Sequence, residues 1–143
     1  MAGQATDKVK CFIINIFIIW KIMEKPTLVL GASPKPDRFA YKAIRSLQRR
    51  NIPVIAIGRK DADLDGIRIR KGKPKNIGPV HTVTLYLNAR NQEEYYDYIL
   101  SLEPSRIIFN PGTWNPELAE MARSRGIEVV QECMLIMLNS SKF

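Results

Sequence analysis

Residues Thr27–Leu47, TLVLGASPKPDRFAYKAIRSL, contain the features that decide the fold. A short apolar run is followed by Gly31-Ala32-Ser33, then by a loop with two prolines, then by a helical pattern. This order is typical of a strand, a tight turn and the N-terminus of a helix. The first amides of a helix lack partners within it and lie at the positive end of its dipole, so such a turn attracts anions. The stretch therefore predicts a phosphate-binding turn for a nucleotide-like cofactor.

The chain has 143 residues, of which 45% are hydrophobic and 25% are charged. These fractions are typical of a globular protein, and the length suits one domain with a core rather than two. The two cysteines, Cys11 and Cys133, lie far apart and form no CxxC spacing, so we expect neither a disulfide framework nor a metal site. A reducing, cytoplasmic setting is the corresponding expectation.

The net charge of +8 is unevenly distributed along the chain. Residues 35–75 contain thirteen Lys and Arg against four Asp and Glu, a net charge of +9. Residues 76–143 contain five against eight, a net charge of −3. The positive segment directly follows the glycine turn. This asymmetry indicates an anionic partner, either a nucleic acid or a multiply phosphorylated small molecule. Basic side chains on solvated helix faces are the alternative explanation.

Five short apolar runs predict strands, and segments with helical periodicity separate most of them. Alternating strands and helices indicate parallel βαβ units, whose strands are buried on both faces. We therefore predict an α/β fold with a doubly wound, mostly parallel sheet of five strands and helices on both faces. Residues 59–79 are predicted as a long loop with at most a brief strand at Ile67–Arg70. The five runs are Thr27–Leu30, Pro53–Ile57, Thr82–Leu87, Arg106–Phe109 and Ile127–Val130.

Start and stop signals accompany the helical patterns. Asn115 followed by Pro116 supplies an N-cap and a proline at the first helical position, and Gly126 ends that helix. Asn91 followed by Glu94 resembles a capping box that opens an earlier helix. Two further helical segments are predicted from Ala40 to Leu47 and from Met134 to Leu138.

Ligands of a doubly wound sheet bind at the carboxyl ends of its strands, beside the first strand. The second predicted strand ends in Gly58-Arg59-Lys60, where an NAD-binding fold usually has an acid that bonds the ribose hydroxyls. Basic groups at this point suit a phosphorylated ribose, as in NADP or coenzyme A (CoA). The turn after the first strand matches neither GxGxxG nor the Walker sequence, so by itself it is a weak signal.

The sequence resembles the small single-domain CoA-binding proteins, through Gly31-Ala32-Ser33, then Lys35-Pro36, then Arg38 and Tyr41, then the run PVIAIG. These proteins share a Rossmann-like fold with the N-terminal domain of the succinyl-CoA synthetase α-subunit. The resemblance covers about residues 26–137. It implies that CoA is bound with its pyrophosphate at the glycine turn and at a helix that begins near Phe39. It also implies that the adenosine phosphate lies towards the loop after the second strand.

Three positions depart from the family pattern. Gly58-Arg59 stands where relatives commonly have Asn-Pro, and Ala40 stands where a serine is common. The segment after the fourth strand begins Asn110-Pro111-Gly112, which we associate with a subset of the family. A close approach of backbone to phosphate predicts that Gly31→Val abolishes ligand binding. The candidate cofactor-binding residues are Gly31, Ala32, Ser33, Arg38, Phe39, Tyr41, Gly58, Arg59, Lys60, Asn110, Pro111 and Gly112.

The sequence offers no catalytic constellation. Cys133 has no cationic sequence neighbour and is expected to be a buried structural thiol. His81 is followed by Thr82 and preceded by Val80, so no carboxylate or serine stands next to it in the sequence. We therefore expect a binding, carrier or sensor domain for CoA or acyl-CoA without its own catalysis. An NADP-binding oxidoreductase-like protein or accessory subunit is the alternative. We expect no nucleic-acid partner, no metal and no membrane partner, and a homodimer or an unknown protein partner remains open.

Residues 11–20, CFIINIFIIW, form an apolar run flanked by lysines. A spanning helix needs about 20 apolar residues, and no small-residue cleavage site follows this run. We expect residues 23–143 to form the domain. Residues 1–22 are then either a mis-assigned upstream extension, with Met23 as the true start, or a disordered or partner-bound arm. The intact mass of the natively expressed protein tests the first alternative, because a species that contains residues 1–22 contradicts it.

Overall fold

The computed structural model describes residues 15–16, 18–19 and 24–143. Apart from those first four residues, the extension predicted at 1–22 lies outside the described residues. Ile16, Ile18 and Ile19 are exposed. Within the described part of the chain, no helix is long and apolar enough to cross a membrane.

A seven-stranded sheet forms the centre of the molecule, in the order β3-β4-β2-β1-β5-β6-β7. All neighbouring strands are parallel except β3 and β4, which form an antiparallel edge hairpin. The chain order reverses beside β1, between β1 and β5, as in a doubly wound sheet. The strands are β1 (Thr27–Ala32), β2 (Val54–Gly58), β3 (Ala62–Leu64), β4 (Ile67–Arg70), β5 (Thr82–Leu85), β6 (Arg106–Phe109) and β7 (Glu128–Val130).

Helices cover both faces of the sheet, because successive side chains of a strand point to opposite faces and both faces are apolar here. On one face, the core contains Val29, Ile69 and Ile108 together with residues of α1 and α5. On the other, Leu30 and Phe109 pack with residues of α3 and α4. The helices are α1 (Phe39–Arg49), α2 (Ala89–Gln92), α3 (Tyr96–Ser101), α4 (Pro116–Ser124) and α5 (Met134–Asn139), and a 3₁₀ turn at Glu93–Tyr95 joins α2 to α3.

The doubly wound α/β architecture is therefore confirmed, with two more strands than the predicted five. The segment 59–79, predicted as a long loop, contains β3 and β4, and the brief strand expected at Ile67–Arg70 is β4. A two-residue turn joins β3 and β4, with φ of +46° at Asp65 and +88° at Gly66. Positive φ at both positions is typical of an Asp-Gly hairpin turn. Short polar strands of this kind lack the apolar run on which the prediction depended.

The helix predicted to open with a capping box at Asn91 begins earlier. Asn88 is the N-cap of α2, and its side-chain oxygen accepts a hydrogen bond of 2.9 Å from the amide of Asn91. The N-cap predicted at Asn115 is confirmed, because its side-chain oxygen accepts from the amide of Leu118 at 3.3 Å. The helix predicted from Ala40 begins one residue before it, and the tail predicted at Met134–Leu138 is α5.

The hairpin turn depends on Asp65, which makes an ion pair with Arg45 and accepts a hydrogen bond from Gln48 through its carbonyl oxygen. We expect Asp65→Ala to lower the free energy of unfolding by about 1 kcal/mol, because alanine disfavours a left-handed backbone. Asp65→Asn tolerates that backbone and is expected to lose less. Urea denaturation of both variants measures the difference, and equal losses would contradict the role given to the backbone conformation.

Candidate functional site

The first strand β1 continues to Ala32, so the turn predicted at Gly31-Ala32-Ser33 begins only at Ser33. The end of β1 is shaped by a close backbone contact with the residue after β5. Gly31 has φ of +98° and interrupts the β1–β2 pairing, where the register shifts between Leu30 and Ala32. A Cβ placed on Gly31 would lie 2.9 Å from the carbonyl carbon of Tyr86. The amide of Tyr86 in turn donates to the carbonyl oxygen of Leu30 at 2.8 Å. Both the backbone angle and the space therefore require glycine at position 31.

A second glycine makes a similar contact at the end of β2. Gly58 pairs with Ala32 across the sheet, and a Cβ on Gly58 would collide with the carbonyl oxygen of Ala32. The two turns consequently lie directly side by side, and the exposed side chains of Arg59 and Lys60 follow immediately. In the part of the chain that the structure describes, no hydrogen bond or ion pair engages either of these side chains. The pair thus places two positive charges beside the turn after β1, and the acid Asp61 follows them in the chain.

The N-terminus of α1 opens over the same edge of the sheet. Arg38 is the N-cap residue, its side chain makes no capping hydrogen bond, and the first turn of α1 contains no acidic residue. The first amides of α1 therefore have no side-chain acceptor and are available to an anion. Within the preceding loop, the hydroxyl oxygen of Ser33 accepts from the amide of Lys35 at 3.2 Å and holds the turn.

Two aromatic candidates of α1 have different surroundings. Phe39 is 65% exposed at the start of the helix, with the ammonium of Lys42 5.3 Å from its ring centroid. Tyr41 is half-buried against the core cluster shared by α1 and α5, with the guanidinium of Arg45 5.7 Å from its ring centroid. Of the two, Phe39 has the side chain that remains open to a ligand.

The side chain of Asn110 is used within the fold. It is 4% exposed, and its amide nitrogen donates to the hydroxyl of Thr84 at 2.7 Å and to the carbonyl of Leu85 at 2.9 Å. Its side-chain oxygen accepts from the amide of Met134 at 2.9 Å. Asn110 thus joins β6 to β5 and to the start of α5. Pro111 and Gly112, which follow it, are exposed.

A buried polar network that the sequence did not reveal holds the loops after β5 and β6 together. Gln92, which is fully buried, donates through its amide nitrogen to the carbonyl of Leu87 at 2.8 Å and to that of Thr113 at 2.7 Å. Its oxygen accepts from the side chain of Asn115 at 3.0 Å, and Asn115 also donates to the hydroxyl of Tyr96 at 2.8 Å. Asn115, the N-cap of α4, is therefore part of a buried hydrogen-bond network around Gln92 that links the loops after β5 and β6.

Cys133 is half-buried with a free thiol, so the prediction of a buried cysteine is wrong. It lies directly before α5 and close to Tyr86, whose hydroxyl oxygen is buried. Burial raises the pKa of Tyr86, and the nearby Cys133 raises it further. A raised pKa keeps the hydroxyl of Tyr86 protonated.

Some of the candidate cofactor-binding residues lie next to each other in the structure, and others are separated by a strand. Gly31, Ala32 and Ser33 adjoin the end of β2 with Gly58 and its two cations, whereas β5 separates them from Asn110. A separate open groove lies between the loop at 73–78 and the helical segment that contains Tyr98. The hydroxyl of Tyr98 donates to the carbonyl of Pro74 at 2.7 Å across it. Among the described residues, no cluster of three or more His, Cys, Asp or Glu side chains is placed to hold a metal ion.

The strand order and the glycine turn at its reversal point define a Rossmann-like α/β domain. The chain belongs to the CoA binding domain family, whose model matches residues 25–139. No curated protein matches the chain. The resemblance inferred from the glycine turn and the second strand is thereby confirmed.

Solved structures share the fold. A protein described as uncharacterized is 47% identical with a TM-score of 0.79, over 83% of this chain and 98% of that one. A protein from Thermus thermophilus is 21% identical with a TM-score of 0.76, over 90% and 98% of the two chains. A dinucleotide-forming acetyl-coenzyme A synthetase of Ca. Korarchaeum cryptofilum, in complex with phosphate and ADP, is 17% identical with a TM-score of 0.64, over 80% of this chain and 27% of that one.

The backbone of Tyr86 fills the space that a side chain at Gly31 would need, so a substitution at Gly31 affects stability as well as ligand binding. We expect Gly31→Ala to lower the free energy of unfolding by roughly 3 kcal/mol, from the unfavourable backbone angle and the collision with Tyr86. The control Gly112→Ala also has a positive φ, +85°, but meets nothing within 4 Å, so we expect a loss of about 1 kcal/mol. Denaturant unfolding without ligand compares them, and similar losses would show that the Tyr86 contact is unimportant.

Proposed function

We propose that this protein binds CoA or an acyl-CoA and acts as a binding, carrier or sensor domain without its own catalysis. The observation that carries the proposal is the cradle formed by Gly31, Gly58 and the uncapped N-terminus of α1. Two backbone segments approach each other there without side chains, and the helix amides beside them have no acidic or capping partner. Such a cradle suits a pyrophosphate. Membership of the CoA binding domain family supports CoA as the molecule that supplies it.

The proposed contacts follow from the order of the strands. The turn Gly31–Ser33 and the first turn of α1, which begins at Phe39, would hold the pyrophosphate, with Arg38 adding positive charge. Arg59 and Lys60, at the end of the neighbouring strand, would contact the phosphate on the adenosine ribose. Their exposure and lack of other partners support this assignment.

The same two cations also fit NADP, which is the second candidate ligand. Its ribose carries a phosphate too, and the doubly wound fold commonly accepts that phosphate beside an arginine after the second strand. The two ligands differ beyond the pyrophosphate, so a direct comparison separates them.

The proposed absence of catalysis is supported by the position of the sole histidine. His81 precedes β5 and therefore lies at the amino edge of the sheet, opposite the cradle. Its ring nitrogen Nδ1 lies 2.8 Å from the hydroxyl of Thr82 at that edge. A general base would have to come from another residue or from a partner.

Thermal unfolding tests the ligand assignment. A ligand at a hundredfold excess over its Kd stabilises by about 2.7 kcal/mol, which raises the Tm of a domain of this size by roughly 5 °C or more. We expect this rise with CoA, a smaller rise with dephospho-CoA and little change with NADP. A rise with NADP alone would replace the proposal, and no rise with CoA or acetyl-CoA would overturn it.

The role of the cation pair is tested with Arg59→Glu. We expect the affinity for CoA to fall about tenfold or more, since a charge-assisted hydrogen bond contributes roughly 1.5–3 kcal/mol, and the affinity for dephospho-CoA to change much less. The matched control is Arg125→Glu, an exposed arginine at the opposite edge of the sheet with the same change in net charge. Isothermal titration calorimetry compares the variants. Equal losses of affinity for CoA and dephospho-CoA would show that Arg59 does not contact the ribose phosphate.

A further inference from the structure

The exposed apolar side chains of the domain are concentrated at the edge of the sheet that holds the proposed cradle. In residues 24–143, which the structure describes without gaps, three large hydrophobic side chains are exposed: Phe39 (65%), Trp114 (38%) and Ile136 (66%). Phe39 begins α1 after β1, Trp114 lies in the loop after β6, and Ile136 lies in the first turn of α5, after β7. All three therefore follow the carboxyl end of a parallel strand, where ligands of such sheets bind. Exposed apolar residues gathered at a ligand-binding edge indicate an apolar group on the ligand.

Contacts place Trp114 and Ile136 on two sides of the end of β6. The ring of Trp114 packs edge-on against Phe109, the last residue of β6, with 5.3 Å between the ring centroids. From the other face, the helix that carries Ile136 is attached to the same strand end, because the side-chain oxygen of Asn110 accepts from the amide of Met134 at 2.9 Å. Phe109 and Met134 belong to the core clusters on opposite faces of the sheet. The two exposed side chains thus flank the end of β6.

Only β5 separates this apolar surface from the proposed cradle. Tyr86, which follows β5, contacts the backbone of Gly31 on one side and lies close to Cys133, directly before α5, on the other. Neighbouring strands of a sheet are about 4.8 Å apart, so the ends of β1 and β6 are about 10 Å apart. The surface at β6 is therefore continuous with the cradle at β1.

The strand order sets the direction of a ligand that occupies the cradle as proposed above. Its ribose phosphate lies past β2, at Arg59, and its pyrophosphate lies past β1, at Gly31. The next strands in the sheet are β5 and then β6. A CoA molecule that continues in the same direction extends its pantetheine arm past β5 and brings its sulfur towards β6. A group attached to that sulfur then meets Trp114 and Ile136.

We propose that Trp114 and Ile136 bind the acyl chain of an acyl-CoA, so that the protein prefers thioesters of apolar acyl groups to free CoA. This inference rests on the proposed function, because it requires the pyrophosphate to lie at Gly31. Burial of methylene groups against the two side chains supplies the preference. The loop before Trp114 is already ordered, since the carbonyl of Thr113 accepts from the buried side chain of Gln92 at 2.7 Å.

Isothermal titration calorimetry with CoA, acetyl-CoA and octanoyl-CoA tests the acyl site. We expect the Kd of octanoyl-CoA to be at least about tenfold lower than that of CoA, and the Kd of acetyl-CoA to stay within about threefold of it, because an acetyl group buries little apolar area. Equal Kd values for CoA and octanoyl-CoA would overturn the acyl site and leave CoA binding intact. Binding of none of the three would instead overturn the proposed function itself.

Free octanoate distinguishes the acyl site from unspecific attachment of an apolar chain. It lacks the groups that the cradle binds, so we expect its affinity to be at least about a hundredfold lower than that of octanoyl-CoA. Similar affinities for octanoate and octanoyl-CoA would contradict the proposal, because the chain would then bind without the cradle.

The variant Ile136→Ser tests the site at a side chain that is mostly exposed, so the protein is expected to fold. We expect the advantage of octanoyl-CoA over CoA to fall about threefold or more, with the Kd of CoA changed less than about twofold. Trp114→Ala should reduce the same advantage. Ile136→Leu is the matched control and should retain the advantage, because leucine keeps the apolar area. An unchanged advantage in both Ile136→Ser and Trp114→Ala would overturn the proposal.

Discussion

The end of β1 lies against the backbone of Tyr86, so close that a Cβ on Gly31 would stand 2.9 Å from its carbonyl carbon. Beside it, the end of β2 approaches the carbonyl oxygen of Ala32 at Gly58. These approaches bring the ends of β1, β2 and β5 together at one edge, and the start of α1 is directed over that edge. Any side chain at either glycine would separate the strands. The position of the candidate site therefore depends on backbone packing before it depends on any functional group.

The parts of the fold that the sequence predicted are those that depend on local patterns. Continuous apolar runs identify strands buried on both faces, and Asn115 with Pro116 marks a helix start through contacts within one turn. The strand β4 was expected at Ile67–Arg70, whereas β3 and its pairing with β4 were missed because β3 is only three residues long, although Asp65-Gly66 is a recognised hairpin signal. The shift of a helix start to Asn88 shows that several polar residues in a row offer competing caps.

The candidate site was predictable in position and less so in detail. The edge of the sheet follows from the order of the elements, whereas the use of a side chain depends on contacts far apart in sequence. Asn110 has an amide that suits a ligand, but its partners Thr84 and Met134 lie more than twenty residues away on either side. Some of the basic side chains in residues 35–75 are also engaged within the fold and not available to a ligand. Arg45 pairs with Asp65, and Arg50 bonds to Ser46 and Asn139. Charge counts along a sequence include such structural cations.

The hydrogen-bond network around Gln92 has a consequence for ligand binding. Because one buried side chain bonds to the loops after both β5 and β6, these loops cannot open independently. A ligand that settles on them meets a surface already ordered in the free protein, so little conformational entropy is lost on association. Recognition on this side should therefore be rigid and selective for shape. Adaptation to ligands of different size is then left to the opposite side of the candidate site, where the side chain of Arg59 is exposed.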